Sequence, residues 1–278
     1  MVATLEWAGE DDEPAQAPLR PAKLNLAPGE LPLSVQSALW RGNEMGASVT
    51  EALPSGFADL DAELPGTGWP CRSLTEILQP QASTAEWRLL APAMRQVVSS
   101  GRDVVVVGPP MRPHLPGLRH VGLDERRLVW VQAEAPAQRL WVTEQLIKSG
   151  AAGLLVSWLP QARQEQIRRL QVCAQSCDGP VFLCRPAAAE HEPSAAPLRL
   201  QLQFGIDWEL RIHLLKRKGP AHEGMITVES IPGGLQSIIT PRLRKPSILI
   251  AGRTDREVPH VVGSPAPRPA VPRPVTAH

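Results

Sequence analysis

The sequence has no long apolar run, no secretory leader and no paired cysteine motif. No uncharged apolar stretch reaches the roughly 18 residues that a membrane-spanning helix needs, so we expect no association with a membrane. The first residues lack the basic start and apolar stretch of a secretory signal. We therefore expect a cytoplasmic protein, with association with the nucleoid left open.

The four cysteines are Cys71, Cys173, Cys177 and Cys184. They form no Cys-x-x-Cys pair, and no histidine stands at the spacing of a zinc finger. Cys173 and Cys177 are one helical turn apart, which is typical of small apolar residues on a buried helix face. We predict neither a metal site nor a disulfide scaffold in a chain of this size.

The charge is unevenly distributed although the net charge is only +1. Residues 1–30 carry six acidic and two basic residues, whereas residues 211–278 carry eleven basic and four acidic residues. A basic C-terminal third indicates a polyanion or an acidic protein surface as partner, with a solvated tail as the alternative. Composition predicts a flexible acidic arm over residues 1–34, a weakly structured basic segment over 220–262 and a disordered proline-rich tail over 263–278.

Between the ends, apolar strands alternate with amphipathic helices. This alternation predicts an α/β fold with a mostly parallel sheet covered by helices on both faces. The expected parallel strands lie at 73–78, 104–107, 128–131, 153–157 and 180–184. Helices are expected at 86–98 and 136–149, and a third with Ile167, Leu170, Ala174 and Cys177 on one face. Alternating residues over 198–204 and 208–215 predict a C-terminal antiparallel hairpin.

The first strand leads into a helix through an eight-residue loop over residues 79–86. A phosphate-binding loop has this layout, but it needs glycines around the phosphates, a lysine on the β- and γ-phosphates and a hydroxyl on magnesium. The segments 54–61, 66–70 and 74–77 resemble the entry into the nucleotide site of RecA recombinases. The resemblance implies a RecA-like domain over residues 35–219. It places the loop glycines on Gln79 and Thr84, the lysine on Ala85 and the magnesium hydroxyl on Glu86.

These substitutions predict that the protein binds no nucleotide cofactor and is not an enzyme. Glu86 adds a carboxylate where the lysine is missing, and two like charges about 4 Å apart repel by on the order of 4 kcal/mol at an effective dielectric of about 20. Such a cost weakens binding roughly a thousandfold. The resemblance also places a magnesium-associated aspartate in the region of Ser157 and Trp158, and a catalytic glutamate on Pro110. Neither position holds a metal ligand or a group that activates water.

A further set of segments is similar, in order, to the ImuA family of RecA-like accessory proteins from bacterial mutagenesis cassettes. They lie at 39–42, 54–56, 60–66, 68–70, 89–93, 109–110, 112–114, 158–160, 185–186, 196–200 and 214–219. The similarity implies a non-catalytic role in translesion DNA synthesis during the SOS response to DNA damage. It implies an inactive Y-family polymerase homologue (ImuB-like) as partner, and through it an error-prone replicative-type polymerase and the sliding clamp.

Two basic groups are candidates for DNA or partner binding. Lys216, Arg217 and Lys218 end the second hairpin strand, where phosphates or an acidic partner could be contacted; a solvated strand end is the alternative. Arg242, Arg244 and Lys245 precede an apolar triplet, which suits a peptide that folds on a partner, while an edge strand is the alternative.

Two other features leave alternatives open. Trp40, Trp69, Trp87 and Trp158 fit either the core, which we favour, or a base-stacking platform. The segment 186–197 resembles a DNA-contacting loop of RecA proteins, but Glu190 and Glu192 make it a poor phosphate binder, and His191 is expected to be solvated.

A second function stays open beside the accessory role. It is an SOS-induced inhibitor of cell division that binds the division GTPase, as the degenerate RecA-like protein SulA does. The match through residues 214–219 and the arginine-containing tail favour the accessory role.

Overall fold

The computed structural model describes residues 51–82, 85–232 and 234–248. The expected arm over residues 1–34, the tail over 263–278, Trp40 and Thr84 lie outside these residues. No helix within the described residues is long and apolar enough to cross a membrane.

The described strands form a small sheet and a large one. Strands β1 (Ala52–Leu53) and β2 (Trp69–Pro70) pair antiparallel. The large sheet contains eight strands: β3 (Leu74–Gln79), β4 (Asp103–Val107), β5 (Leu128–Val131), β6 (Ala152–Trp158), β7 (Val181–Pro186), β8 (Leu198–Phe204), β9 (Glu209–Lys216) and β10 (Ile226–Glu229). Their spatial order is β10-β9-β8-β3-β7-β6-β4-β5.

Pairing in the large sheet changes direction at β8. The strands from β8 through β3, β7, β6 and β4 to β5 are all parallel, whereas β8, β9 and β10 pair antiparallel. The predicted α/β class, the mostly parallel sheet and the C-terminal antiparallel hairpin are confirmed. β10 was not predicted from the sequence pattern.

The described α-helices include α1 (Ala58–Glu63), α2 (Ala85–Ser99), α3 (Leu115–His120), α4 (Pro136–Ser149), α5 (Gln164–Ala174) and α6 (Pro241–Arg244). The expected place of Cys177 on the face of α5 is wrong, because the helix ends at Ala174, although Cys177 is buried in the same core layer. Short 3₁₀ turns cover Glu125–Arg127 and Ala187–His191. α4 has the predicted ends because proline suits the first helical turn, while Gly150 adopts a left-handed conformation (φ 62°) that closes the helix.

The core lies on both faces of the sheet. On one face α2 packs Leu89, Leu90 and Met94 against the strands. On the other, Ile147 of α4 and Ile167 of α5 pack against alternate strand residues. Successive side chains of a strand point to opposite faces, so β3 contributes residues to both core layers. The strands next to β3 run parallel to it, so the carboxyl ends of β3, β7 and β6 lie at the same edge of the sheet.

Candidate functional site

The loop that resembles a nucleotide site leaves β3 at Gln79 and enters α2 at Ala85. Both Ala85 and Glu86 are buried, each 1% exposed. The Gln79 side chain is also buried, and its amide has no hydrogen-bond partner within the described part of the chain. Glycine positions of a phosphate loop expose backbone to the ligand, whereas here the first of them carries a buried side chain.

Glu86 is bonded to the end of another strand. Trp158, the last residue of β6, donates its indole N–H to Glu86 Oε1 over 2.8 Å. Trp158 is 3% exposed, and the rings of Trp87 and Trp158 pack with centroids 5.8 Å apart. The two positions that the resemblance associates with magnesium are thus joined by a buried hydrogen bond.

The strand between β3 and β6 contributes a thiol to the same place. Cys184 of β7 is 2% exposed. Burial raises the pKa of the Cys184 thiol well above its ordinary value, and the negative charge of Glu86 adds to this effect. The thiol is therefore neutral and packs as a small apolar group. Pro110, in the catalytic glutamate position, is exposed in the turn after β4.

Two of the three described tryptophans from the proposed set are buried, as the prediction that most of them lie in the core requires. Trp69 is fully buried and meets Phe182 edge to face, with ring centroids 5.2 Å apart. Trp158 is buried as well, while Trp87 is partly exposed. Trp69 and Trp158 therefore belong to the core and cannot serve as an exposed stacking platform.

A buried ion cluster on the face of the sheet, centred on β3, was not found by sequence reasoning. Glu76 of β3 is fully buried and accepts hydrogen bonds from Arg185 Nη1 at 2.8 Å and from Arg199 Nε at 2.5 Å. Arg185 also pairs with Glu192 at 2.5 Å, so two carboxylates balance two guanidinium groups. Charged residues inside otherwise apolar strands were the available signal, because such residues are rarely buried unless they are paired.

The ion cluster holds the segment that was compared with a DNA-contacting loop. Arg199 Nη2 donates to the carbonyl of Ala189 over 2.9 Å, and the Glu190 carboxylate accepts from Gln201 over 3.1 Å. Arg185 Nη2 further donates to the carbonyl of Ala162 over 3.0 Å, in the loop after β6. Both acidic side chains of the segment are thus engaged within the protein, while His191 is exposed.

The three basic residues at the end of β9 have different surroundings. Arg217 Nη1 donates to the backbone oxygen and the Oε2 atom of Glu63, at 2.6 and 2.7 Å, and its side chain is 16% exposed. It therefore fastens the strand end to α1. Lys216 is exposed and donates to the carbonyl of Ser194 over 3.0 Å, and Lys218 is exposed.

The second basic group lies near the opposite end of β9. Arg242 and Arg244 belong to α6, Lys245 follows it, and all three are exposed. α6 is tied to the residue before β9, because Trp208 donates its indole N–H to the carbonyl of Leu243 over 3.0 Å. A strand rises about 3.3 Å per residue, so the length of β9 separates the two groups. The fold does not bring them into one patch.

We compared the chain with models of known protein families and with curated proteins, and neither comparison gave a match.

Proposed function

We propose that the protein is a RecA-like accessory protein that carries out no nucleotide chemistry and acts in an error-prone translesion DNA synthesis complex of the SOS response. Its role is to bind an inactive Y-family polymerase homologue and, through it, an error-prone replicative-type polymerase and the sliding clamp, in the cytoplasm or at the nucleoid. The proposal includes binding of the protein to DNA.

The observation that carries the proposal is the buried hydrogen bond between Glu86 and Trp158. A nucleotide site needs an exposed hydroxyl and a carboxylate free to bind magnesium through water. At the corresponding positions, the protein has an indole joined to a carboxylate. The residues do not fit a magnesium triphosphate, and they support a scaffold that retains the layout of a nucleotide-binding protein without its chemistry.

The ordered segment over 187–192 and the exposed basic residues support a role in binding another macromolecule. The ordered segment over 187–192, held by Arg185 and Arg199, follows the carboxyl end of β7 and packs over β3 on the way to β8. The exposed basic residues Lys216, Lys218 and those of α6 add positive charge on the antiparallel side of the sheet. Fixed loops and exposed charge suit contacts with a macromolecule.

The decisive experiment is affinity purification of the tagged full-length protein from its own cells after DNA damage. We expect the inactive Y-family polymerase homologue among the recovered proteins, in amounts that rise with damage and do not change when nucleotide is removed. Recovery of the division GTPase instead, with filamentous growth on overexpression, would replace the proposal with inhibition of division. Magnesium-dependent ATP turnover by the purified protein, abolished in a Glu86→Ala variant, would contradict the absence of nucleotide chemistry.

A further inference from the structure

A cavity of about 730 Å³ lies beside α2, next to the loop that leaves β3. It is enclosed by α2, by the segment 111–123 that contains α3, and by the residues after β10. Gln81 and Ala82 contribute to its wall. The volume is within the range of roughly 300–1,000 Å³ that is usual for ligand pockets.

The walls of this cavity are largely apolar. α2 contributes Trp87, Ala91 and Pro92, and the opposite side contributes Leu118 and Leu123. Leu118 and Leu123 are buried beneath the surface, so they form a floor. Such a floor gains free energy when it covers an apolar side chain of a ligand and removes it from water.

The charged residues of the wall are mostly positive. The guanidinium groups of Arg88, Arg95 and Arg112 line the cavity together with the imidazole ring of His114, against Glu229 as the one carboxylate among its described lining residues. Arg88 is already used in the fold, because it donates to the carbonyls of Trp208, at 2.5 Å, and Ser230, at 3.3 Å. Its guanidinium also lies 5.6 Å from the centre of the Trp208 ring.

Arg95 and Arg112 remain available to a ligand. Both are exposed, and within the ranges that the structure describes no hydrogen bond or ion pair joins either to another side chain. His114 accepts a hydrogen bond from the Gly117 N–H at Nδ1, so in the neutral ring Nε2 carries the proton and is a donor. Guanidinium groups favour carboxylates, which they bind through paired, charge-assisted hydrogen bonds.

We propose that this cavity binds an acidic peptide segment of a partner protein. An apolar side chain of the peptide lies between α2 and α3, and flanking carboxylates pair with Arg95 and Arg112. The inference rests on the proposed function in that the partner belongs to the polymerase complex. A peptide fits better than a nucleic acid, because single strands are bound along grooves of continuous positive charge with stacking faces, whereas these cations border an apolar floor.

The test is selection of a random peptide library displayed on phage against the purified full-length protein. We expect selected peptides with Asp or Glu on either side of Leu, Phe or Trp. Their affinity should fall about tenfold or more in an Arg95→Glu/Arg112→Glu variant, since two charge-assisted pairs become repulsions. The matched control is Arg126→Glu/Arg168→Glu, which changes the net charge equally at exposed positions that do not line the cavity and should leave the affinity within about twofold.

Three results would overturn the inference. They are selected peptides without acidic residues, equal affinity for the Arg95→Glu/Arg112→Glu variant, and binding of an oligothymidine that depends on the two arginines while no acidic peptide is selected. All four substituted arginines are exposed, so both double variants should melt as the unaltered protein does.

Failure of the inference and failure of the proposed function give different results. If the polymerase homologue co-purifies equally well with the Arg95→Glu/Arg112→Glu variant, the function stands and the cavity is not its docking site. If acidic peptides are selected as expected but no polymerase homologue is recovered, the cavity assignment stands and the proposed function falls.

Discussion

Trp158 donates its indole N–H to the buried carboxylate of Glu86, 72 positions earlier in the chain. The two residues end β6 and begin α2, so the bond fastens a helix to the carboxyl edge of the sheet. A phosphate-binding loop presents this place to its ligand. Here it is occupied by a buried hydrogen bond, whose contribution to stability can be measured.

Trp158→Phe should destabilise the protein by about 1–3 kcal/mol, because it removes the donor to a buried carboxylate. Glu86→Gln keeps an acceptor oxygen and should cost less. Urea denaturation of both single variants and the double variant gives their coupling energy, which separates the hydrogen bond from the lost ring volume. A coupling energy near zero would show that the bond contributes nothing to the folded state.

The Glu76 ion cluster leads to a second prediction. Glu76→Gln removes the carboxylate shared by Arg185 and Arg199. Two buried positive charges then share the single remaining carboxylate, Glu192, which pairs with Arg185 alone. We expect a loss of about 3–5 kcal/mol in the free energy of unfolding, as for other broken buried pairs. Asp103→Asn, which breaks an exposed pair with Arg127, is the control and should cost less than about 1 kcal/mol.

Replacement of Glu76, Arg185 and Arg199 together tests two roles of the ion cluster separately: stabilising the fold and holding the segment over 187–192 in place. Glu76→Met with Arg185→Leu and Arg199→Leu should restore much of the lost stability, because well-packed apolar residues often replace buried ion pairs without cost. The segment over 187–192 would nevertheless lose the donors to its carbonyl and carboxylate groups. Protease cleavage in that segment should therefore rise in the triple variant. Unchanged cleavage would show that the ion cluster does not hold the loop.

Much of the fold could be predicted because local signals coincide with its boundaries. The ends of α4 follow from a proline and a glycine, and the apolar run of β4 requires burial on both faces. β10 could not be predicted, since it has only two buried residues, Ile226 and Val228, and its position depends on pairing with β9. A strand this short is fixed by its tertiary neighbours rather than by its own pattern.

In the candidate site, too, some features could be predicted from the sequence and others depend on tertiary contacts. The comparison of Ala85 with the lysine of a phosphate-binding loop could be made from the sequence, because it needs only the residue type at that position. The hydrogen bond between Glu86 and Trp158 could not be predicted, because the two residues meet only after α2 and β6 are placed on the sheet. The different roles of Arg217 and Lys218 were hidden for the same reason, because the contact with Glu63 spans 154 positions.

Adjacent basic residues at the end of β9 should respond differently to substitution. Arg217→Gln removes the donor to Glu63 and should lower the midpoint of thermal unfolding by about 2–4 °C. Lys218→Gln, which replaces an exposed residue, should leave the midpoint unchanged. The two variants lose the same charge, so a similar weakening of partner or DNA binding would indicate electrostatics. Equal melting of both variants would contradict the anchoring role of Arg217.

The same contact predicts a change at acid pH. The hydrogen bond from Arg217, with a further contribution from the His222 charge, lowers the pKa of Glu63 below its ordinary value of 4.5. A lowered pKa means that the stabilisation is present above pH 4.5 and is lost as the pH falls through the lower, folded-state value. Melting curves from pH 6 to 3 should therefore show the gap between the protein and Glu63→Gln closing only at the acid end. A constant gap would contradict the assignment.

Gly56 provides the last prediction, because it approaches α2 at the wall of the cavity. Its φ is +87°, and a Cβ there would lie 2.4 Å from Cβ of Pro92, whose ring cannot move aside. Gly56→Ala should combine a left-handed backbone cost of about 1–2 kcal/mol with overpacking of about 1–3 kcal/mol. Gly101→Ala is the matched control, since its φ is +80° but no atom lies within 4 Å. Denaturation of both variants isolates the close approach, and equal losses would show that the turn at Gly56 can withdraw from α2.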